Sequence, residues 1–386
     1  EEYFAIHAPS IAALPGAKRK RAIAELEQIS PMLWSRYLQE KHQTEANNTF
    51  IRESKQFELT AKGKLNLYAL FAETFLSLLN KTGRAGIIVP TGIATDDSTK
   101  AYFEAISIGR RLVSLYDFEN RNAIFPGVHR SYKFSLLTLG NAVAQTDFAF
   151  FLTETLQLKD KRRHFTLSGD DIRLLNPNTR TCPVFRSQAD AELTKKIYRN
   201  TSVLIDESKG EAGNPWGITL RQGLFNMTSD SGLFRTWEQL ESAGATRHGN
   251  RWVDLDGRTW LSLYEAKMVH QFDHRWATYE ADGQTSRDVA EEEKKDPGYE
   301  PLPRYWVADE DVEANLLKEK ANGEVSWIWG RGWLLGWRDI CRSTDERTVI
   351  AGVTPKAGCG DTFLLMFPNV ESIRKVACLL ADQCSL

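Results

Sequence analysis

The chain has 386 residues, 42% hydrophobic and 26% charged, with a formal net charge of −2. That length suits two domains rather than one, and no apolar run reaches the roughly 20 residues a membrane helix needs, so no membrane association is expected and a cytoplasmic protein is expected. Five scattered cysteines (Cys182, Cys341, Cys359, Cys378, Cys384) include no CxxC pair, which predicts reduced thiols, no disulfide frame and no zinc site.

In chain order, apolar positions recur at helical spacing over 11–45. Pro31 after Ser30 restarts the pattern, with Ser30 as the candidate N-cap. Residues 64–80 are apolar at helical period and end near Gly83, a stop signal. The run Gly86-Ile87-Ile88-Val89-Pro90 reads as a buried parallel strand. Thr95 or Asp96 then caps a helix over 97–108, and strands follow at 112–118 and 133–139. This order predicts an open α/β sheet closed by an antiparallel edge hairpin.

Beyond about residue 145 the character changes. A strand at 147–153 leads into the basic stretch 159–164, helices are expected at 190–198 and 370–380, and the rest is mixed and β-leaning. Residues 157–200 hold ten Lys/Arg against five Asp/Glu, whereas 280–300 hold three against eight. Each run reads first as a solvated face, and the basic one is also a candidate nucleic-acid surface. The polar, proline-bearing stretch 281–303 is expected to be an exposed loop.

The most informative local text is Ile124-Phe125-Pro126-Gly127-Val128 between the two late strands. A Phe fixed before Pro is either a plain hairpin plug or an aromatic platform on which a base can stack. Context favours the platform. The strings Asn66-Leu67-Tyr68-Ala69-Leu70-Phe71, GRAGIIVPTGIATDDSTKAYF (83–103) and LYDFENRNAIFPGVHRSYKFSLLTL (115–139) closely resemble the gamma-class adenine-N6 DNA methyltransferases. More narrowly, they resemble the type IIG restriction–modification enzymes and related phage-exclusion methylases. The strings at 174–198, 223–234, 263–279 and 336–351 carry the same resemblance, which runs over nearly the whole chain.

The resemblance implies the distal half of a Rossmann-like methyltransferase sheet (1–145), followed by a mixed α+β target-recognition domain (146–386). It implies an S-adenosylmethionine site and an Asn-Pro-Pro-aromatic tetrapeptide that accepts the amino hydrogens of the target adenine. Neither is present: Asn176-Pro177-Asn178 and Asn214-Pro215-Trp216 lack the second proline and lie too late. The chain, opening Glu1-Glu2-Tyr3-Phe4 without Met, is therefore expected to be a segment starting just past that motif. Its expected partners are double-stranded DNA and the N-terminal half of the same polypeptide. Because an exocyclic amine is a poor nucleophile, the adenine must leave the stack and be held against the methyl donor. By match to the family, Phe125 stacks on the flipped base, and Pro90 and Thr91 lie near its pocket, where open α/β sheets bind ligands.

Reading duplex DNA needs phosphate clamps and base-edge contacts. The candidate clamps are Arg130 and Lys133 beside Phe125, the stretch Lys159, Lys161, Arg162, Arg163, and, at lower rank, Arg338, Arg342 and Arg347. Asn226, Thr228 and Ser229 either reach base edges or form an internal turn network. Two other classes remain open. One is a stand-alone DNA specificity module. The other is a magnesium nuclease using Asp254 or Asp256 with Glu265 and Lys267, an Asp…Glu-x-Lys spacing in which carboxylates hold the metal. His270 and His274 at i, i+4 would share a helix face, without an evident third metal ligand. Trp327, Trp329, Trp333 and Trp337 read as core.

Overall fold

The computed structural model describes residues 2–319, 324–342 and 345–385. The chain divides into two units, Glu1–Ser208 and Lys209–Leu386.

The first unit opens with α1 (Glu2–His7), α2 (Pro9–Ala12), α3 (Gly16–Ile29) and α4 (Pro31–Glu53). Pro31 stands at the first turn of α4, where a missing amide costs nothing. Helix α5 (Leu67–Leu78) buries Ala69, Leu70, Ala72 and Glu73. The Glu73 carboxylate accepts the amides of Leu59 and Thr60 and the Thr60 hydroxyl, which ties the preceding loop to the helix. On its other side α5 leaves Leu67 (70% exposed), Phe71 (57%), Phe75 and Leu78 (74%) in the open. These are spaced four, four and three residues apart, one continuous apolar stripe.

The sheet follows: β1 (Ala85–Pro90), α6 (Gly92–Thr95), α7 (Lys100–Ser107), β2 (Leu112–Glu119), β3 (Lys133–Leu139), β4 (Thr146–Leu152), β5 (His164–Leu167), then α8 (Gly169–Leu175) and α9 (Gln188–Asn200). Strand order is β1-β3-β2-β4-β5, with β2 and β4 parallel and the other pairs antiparallel. Two expectations change. Strand β1 is not a buried strand with a parallel neighbour: its hydrogen-bonded partner is the antiparallel β3, and Ile88 is 58% exposed. The hairpin strand β3 is not at the edge either, but between β1 and β2.

The core of Leu112, Leu115, Phe148, Phe165, Ile172 and Ala191 runs through β5 and into α9. The position 145/146 lies between β3 and β4 of one sheet, and the division into compact units falls after Ser208. Helices α8 and α9 start where the sequence allows: Ser168 makes a capping box with Asp171, and Ser187 accepts the Asp190 amide.

The second unit carries β6 (Thr219–Arg221), α10 (Trp237–Ser242), β7 (Thr246–His248), β8 (Arg251–Val253), β9 (Thr259–Tyr264), β10 (Ala277–Tyr279), β11 (Ser286–Asp288), α11 (Glu291–Lys294), β12 (Trp306–Ala308) and α12 (Asp309–Asn315). It continues through β13 (Leu317–Glu319), β14 (Val325–Ile328), β15 (Trp333–Arg338), β16 (Ala351–Pro355), β17 (Gly358–Cys359), β18 (Phe363–Phe367) and α13 (Ile373–Cys384). One sheet runs β12-β9-β8-β7 with β17 added to β9, another runs β16-β15-β18-β6, and β10–β11 and β13–β14 are hairpins. Trp329 is buried edge-on to Trp333 and Phe367, as a core tryptophan should be. The stretch 281–303 is largely exposed but not structureless. It holds β11 and α11, braced by Arg287 against Glu280 and Glu293.

Candidate functional site

At the carboxyl end of β1 the chain turns through Thr91 into α6, beside the end of β2. The Thr91 hydroxyl donates to Asp117 Oδ1 at 2.5 Å and lies 3.0 Å from the Ser135 hydroxyl. The other Asp117 oxygen accepts the Phe151 amide at 3.3 Å. Asp117 is 1% exposed, and burial pushes its carboxyl above the usual range against the opposing pull of the Thr91 and Phe151 hydrogen bonds. Pro90, Thr91, Asp117, Tyr68, Tyr132 and Lys133 are among the walls of an open cavity of about 440 Å3. Burial and the nearby Asp96 keep the Tyr68 phenol protonated to higher pH than usual. The cavity therefore presents hydroxyls, carboxyl oxygens and one lysine beside ring faces, a lining suited to a flat heteroaromatic ligand with polar edges.

Phe125 is placed by Asn120. That asparagine is fully buried; its amide donates to the carbonyls of Phe125 (2.9 Å) and Val128 (2.8 Å), and its oxygen accepts the Phe125 amide (2.9 Å). Ala123 takes a left-handed conformation (φ 51°) to close the loop on this hub. The Phe125 ring stands edge-on to Phe134 at 4.9 Å and stays 39% exposed. Phe125 is not among the cavity's lining residues, whereas Pro90 and Thr91 are.

Of the candidate clamps in this unit, Lys133 lines the cavity and lies 5.6 Å from the Phe151 ring centre. Arg130 is exposed and donates to the Arg121 carbonyl. Lys159 and Lys161 are exposed on two short 3-10 turns. Arg162 forks onto Asp160 at 2.8 and 2.9 Å and holds that carboxyl down at about 2, so its charge is partly neutralised at home. Sequence reasoning missed Asp117, Asn120, Phe151 and Arg186. Phe151 breaks the regular strand: with φ 61° inside β4 it interrupts the pairing between Tyr116 and Phe118 of β2. A left-handed β-carbon-bearing residue costs roughly 1–2 kcal/mol, so Asp117 is needed to receive the amide that this bulge frees.

In the second unit the candidates are engaged differently. Arg338 donates to the Val269 carbonyl at 2.7 Å, and its half-buried guanidinium is desolvated. Arg342 is exposed, while Arg347 faces Glu346 at 3.7 Å. Asn226 accepts the amides of Thr228 and Ser229 and donates to Asp361, the internal turn network. The nuclease arrangement does not form. Asp254 precedes β9 and Glu265 follows it, so about 20 Å of strand separates carboxylates that would have to share one metal. Asp254 instead accepts the amides of Asp256 and Arg258 and the Trp260 indole, and Glu265 accepts the Tyr279 hydroxyl. His270 and His274 lie in a turn rather than on a helix, and burial lowers both imidazoles' proton affinity. Among the described residues, no three His, Cys, Asp or Glu side chains converge as a metal-holding group, and no helix is long and apolar enough to cross a membrane.

Residues 37–125 match the family of Eco57I restriction-modification methylases. This methylase-like segment holds Pro90, Thr91, Asp117, Asn120 and Phe125; Lys133, Phe151 and the basic stretch come after it. Among solved structures, the type IIL restriction-modification enzyme MmeI, solved in complex with DNA, is similar at 10% identity and a TM-score of 0.40, over 81% of this chain and 36% of that one. The type IIG restriction endonuclease BpuSI is similar at 13% identity and a TM-score of 0.28, over 87% of this chain and 40% of that one. The chain thus spans well under half the length of either enzyme. No curated protein sequence matches it.

Proposed function

We propose that this chain is the DNA-facing part of an S-adenosylmethionine-dependent, site-specific adenine-N6 DNA methyltransferase of a restriction–modification system. The observation that carries this reading is the coincidence of the methylase-like segment with the cavity at Thr91 and Asp117 and with the platform Phe125 set on Asn120. In this reading the cavity receives an extruded base, and the exposed Phe125 ring offers a face for stacking. Stacking of a base on an aromatic ring is worth about 1–3 kcal/mol.

The residues present do not fit the methyl donor by themselves. The turn after β1 gives no cradle, because a β-carbon on Gly92 would run into the Asp96 carboxylate. We therefore assign the donor site and the amino-group acceptors to the N-terminal half of the parent polypeptide. Support for that partner lies at the β1 side of the sheet, where Leu67, Phe71, Phe75, Leu78 and Ile88 are exposed together with a strand edge. Covering each such side chain would contribute about 1.5–3 kcal/mol. Double-stranded DNA is the substrate in this reading, with Arg130, Lys133, Lys159, Lys161 and Arg163 as phosphate contacts and the second unit as the sequence reader.

The test uses duplex DNA with 2-aminopurine at candidate adenine positions. The chain should bind duplex DNA, Phe125→Ala should lose the fluorescence rise that accompanies base extrusion, and methyl transfer should require the preceding polypeptide. Methylation by this chain alone with S-adenosylmethionine would refute the assignment of the missing half.

A further inference from the structure

A second depression shares Phe150 with the lining of the Thr91 cavity. It has a volume of about 360 Å3 and is walled by Phe150, Phe151, Asp160, Arg162, Arg163 and Arg186. Arg186 is exposed, and its guanidinium lies over the Phe151 ring at 4.8 Å. No carboxylate pairs with it among the described residues. Lys133 reaches the same ring. The one acid in the wall, Asp160, is forked by Arg162 and stands 3.8 Å from Arg163, so the cleft keeps an excess of positive charge.

Phe151 has a left-handed backbone (φ 61°) within β4, and its partly buried ring packs against the core as well as beside two cations. Asp117 accepts its amide, and Arg186 and Lys133 both lie near its ring. A guanidinium stacked on a ring is fixed in plane with its fork free, the arrangement that grips a phosphate with two parallel hydrogen bonds. We infer that this cleft is a subsite for a nucleic-acid phosphodiester, in which Arg186 and Arg163 take the phosphate and Phe151 is a positioning residue that orients Arg186. The inference rests on the DNA reading above and adds to it a residue set that lies outside the methylase-like segment. The shared wall at Phe150 gives the geometry its sense: a base seated in the Thr91 cavity would leave its own or a neighbouring phosphate beside that wall.

The experiment measures binding of a short fluorescein-labelled duplex to the full chain by anisotropy over a series of salt concentrations. Arg186→Gln should weaken binding about tenfold and flatten the plot of log affinity against log salt by about one. Arg186→Lys should keep the slope but not the full affinity. Phe151→Leu should weaken binding several-fold, and Phe151→Tyr should restore it. Arg186 is exposed, so its variants keep the test decisive if Phe151→Leu does not fold. Wild-type affinity and slope in Arg186→Gln overturn the subsite and leave the DNA reading standing. Absence of duplex binding by the unaltered chain overturns both. Inorganic phosphate that competes beyond chloride of equal ionic strength identifies a free-phosphate site and overturns the phosphodiester assignment.

Discussion

In the first unit, cations stand at the rims of two depressions: Lys133 and Arg186 lie over Phe151, Arg163 walls the same cleft, and Lys159 and Lys161 project to solvent. In the second, four arginines turn back on their own chain, as Arg52, Arg110 and Arg111 also do in the first. Arg338 holds the Val269 carbonyl, Arg221 the Asn315 carbonyl, Arg331 the Val370 carbonyl, and Arg258 pairs with Glu310. An arginine committed to a buried carbonyl fastens one loop to another, while an uncommitted one is available for a phosphate. The two uses look alike in sequence and differ in what substitution removes.

The largest expected effect concerns the interior of the second unit. Trp306 is fully buried, donates to the Asn250 carbonyl and stands edge-on to Trp237 and Trp252. Trp306→Ala should cost about 3–5 kcal/mol by urea denaturation. Phe125→Ala, at a partly exposed ring of the first unit, should cost far less stability. Comparable losses would mean that Phe125 is a plug rather than a platform.

Next comes Asp117, the one site residue expected to affect both folding and the cavity. Asp117→Ala leaves the Phe151 amide without its acceptor and the Thr91 hydroxyl with Ser135 alone, and should cost about 2–3 kcal/mol in the same measurement. The pH dependence has a definite sign. The folded carboxyl titrates above its ordinary 3.8, so the protonated form is favoured by folding. Its contribution is complete below pH 3.8 and is lost as pH rises through the folded value. Asp117→Asn should abolish that decline, seen as a flatter plot of unfolding midpoint against pH; an unchanged plot would disprove the buried-acid account.

The smallest effects separate the two uses of cations most sharply. Arg338→Ala should lower stability by about 1 kcal/mol and leave the salt dependence of DNA binding unchanged. Lys161→Gln should leave the unfolding midpoint unchanged and reduce the salt slope by about one. If the two variants behaved alike, the contrast between the units would fail.

Much of the first unit was legible residue by residue. The strands expected at 86–90, 112–118, 133–139 and 147–153 lie within one or two positions of β1 to β4, because short apolar runs bounded by Gly, Pro and charge carry their own limits. The helix restart expected at Pro31 is the start of α4, at a residue with no backbone amide to satisfy. Pro90 and Thr91 line the cavity for the general reason that strand ends in α/β sheets border crevices. Phe151 was illegible. Nothing in Ala149-Phe150-Phe151-Leu152 announces a left-handed residue, and the carboxylate that accepts its amide, Asp117, lies on β2.

The sequence by itself determined where the strands β1 to β4 lie and that a Phe-Pro turn precedes the third of them. Those properties depend on neighbours a few residues away. Tertiary structure alone decided that β3 separates β1 from β2, that the sheet continues past residue 145, that Asp254 and Glu265 are held apart by β9, and which arginines are committed. These depend on partners tens of residues distant, whose pairing is set by burial and hydrogen-bond satisfaction across the whole fold rather than by any local period.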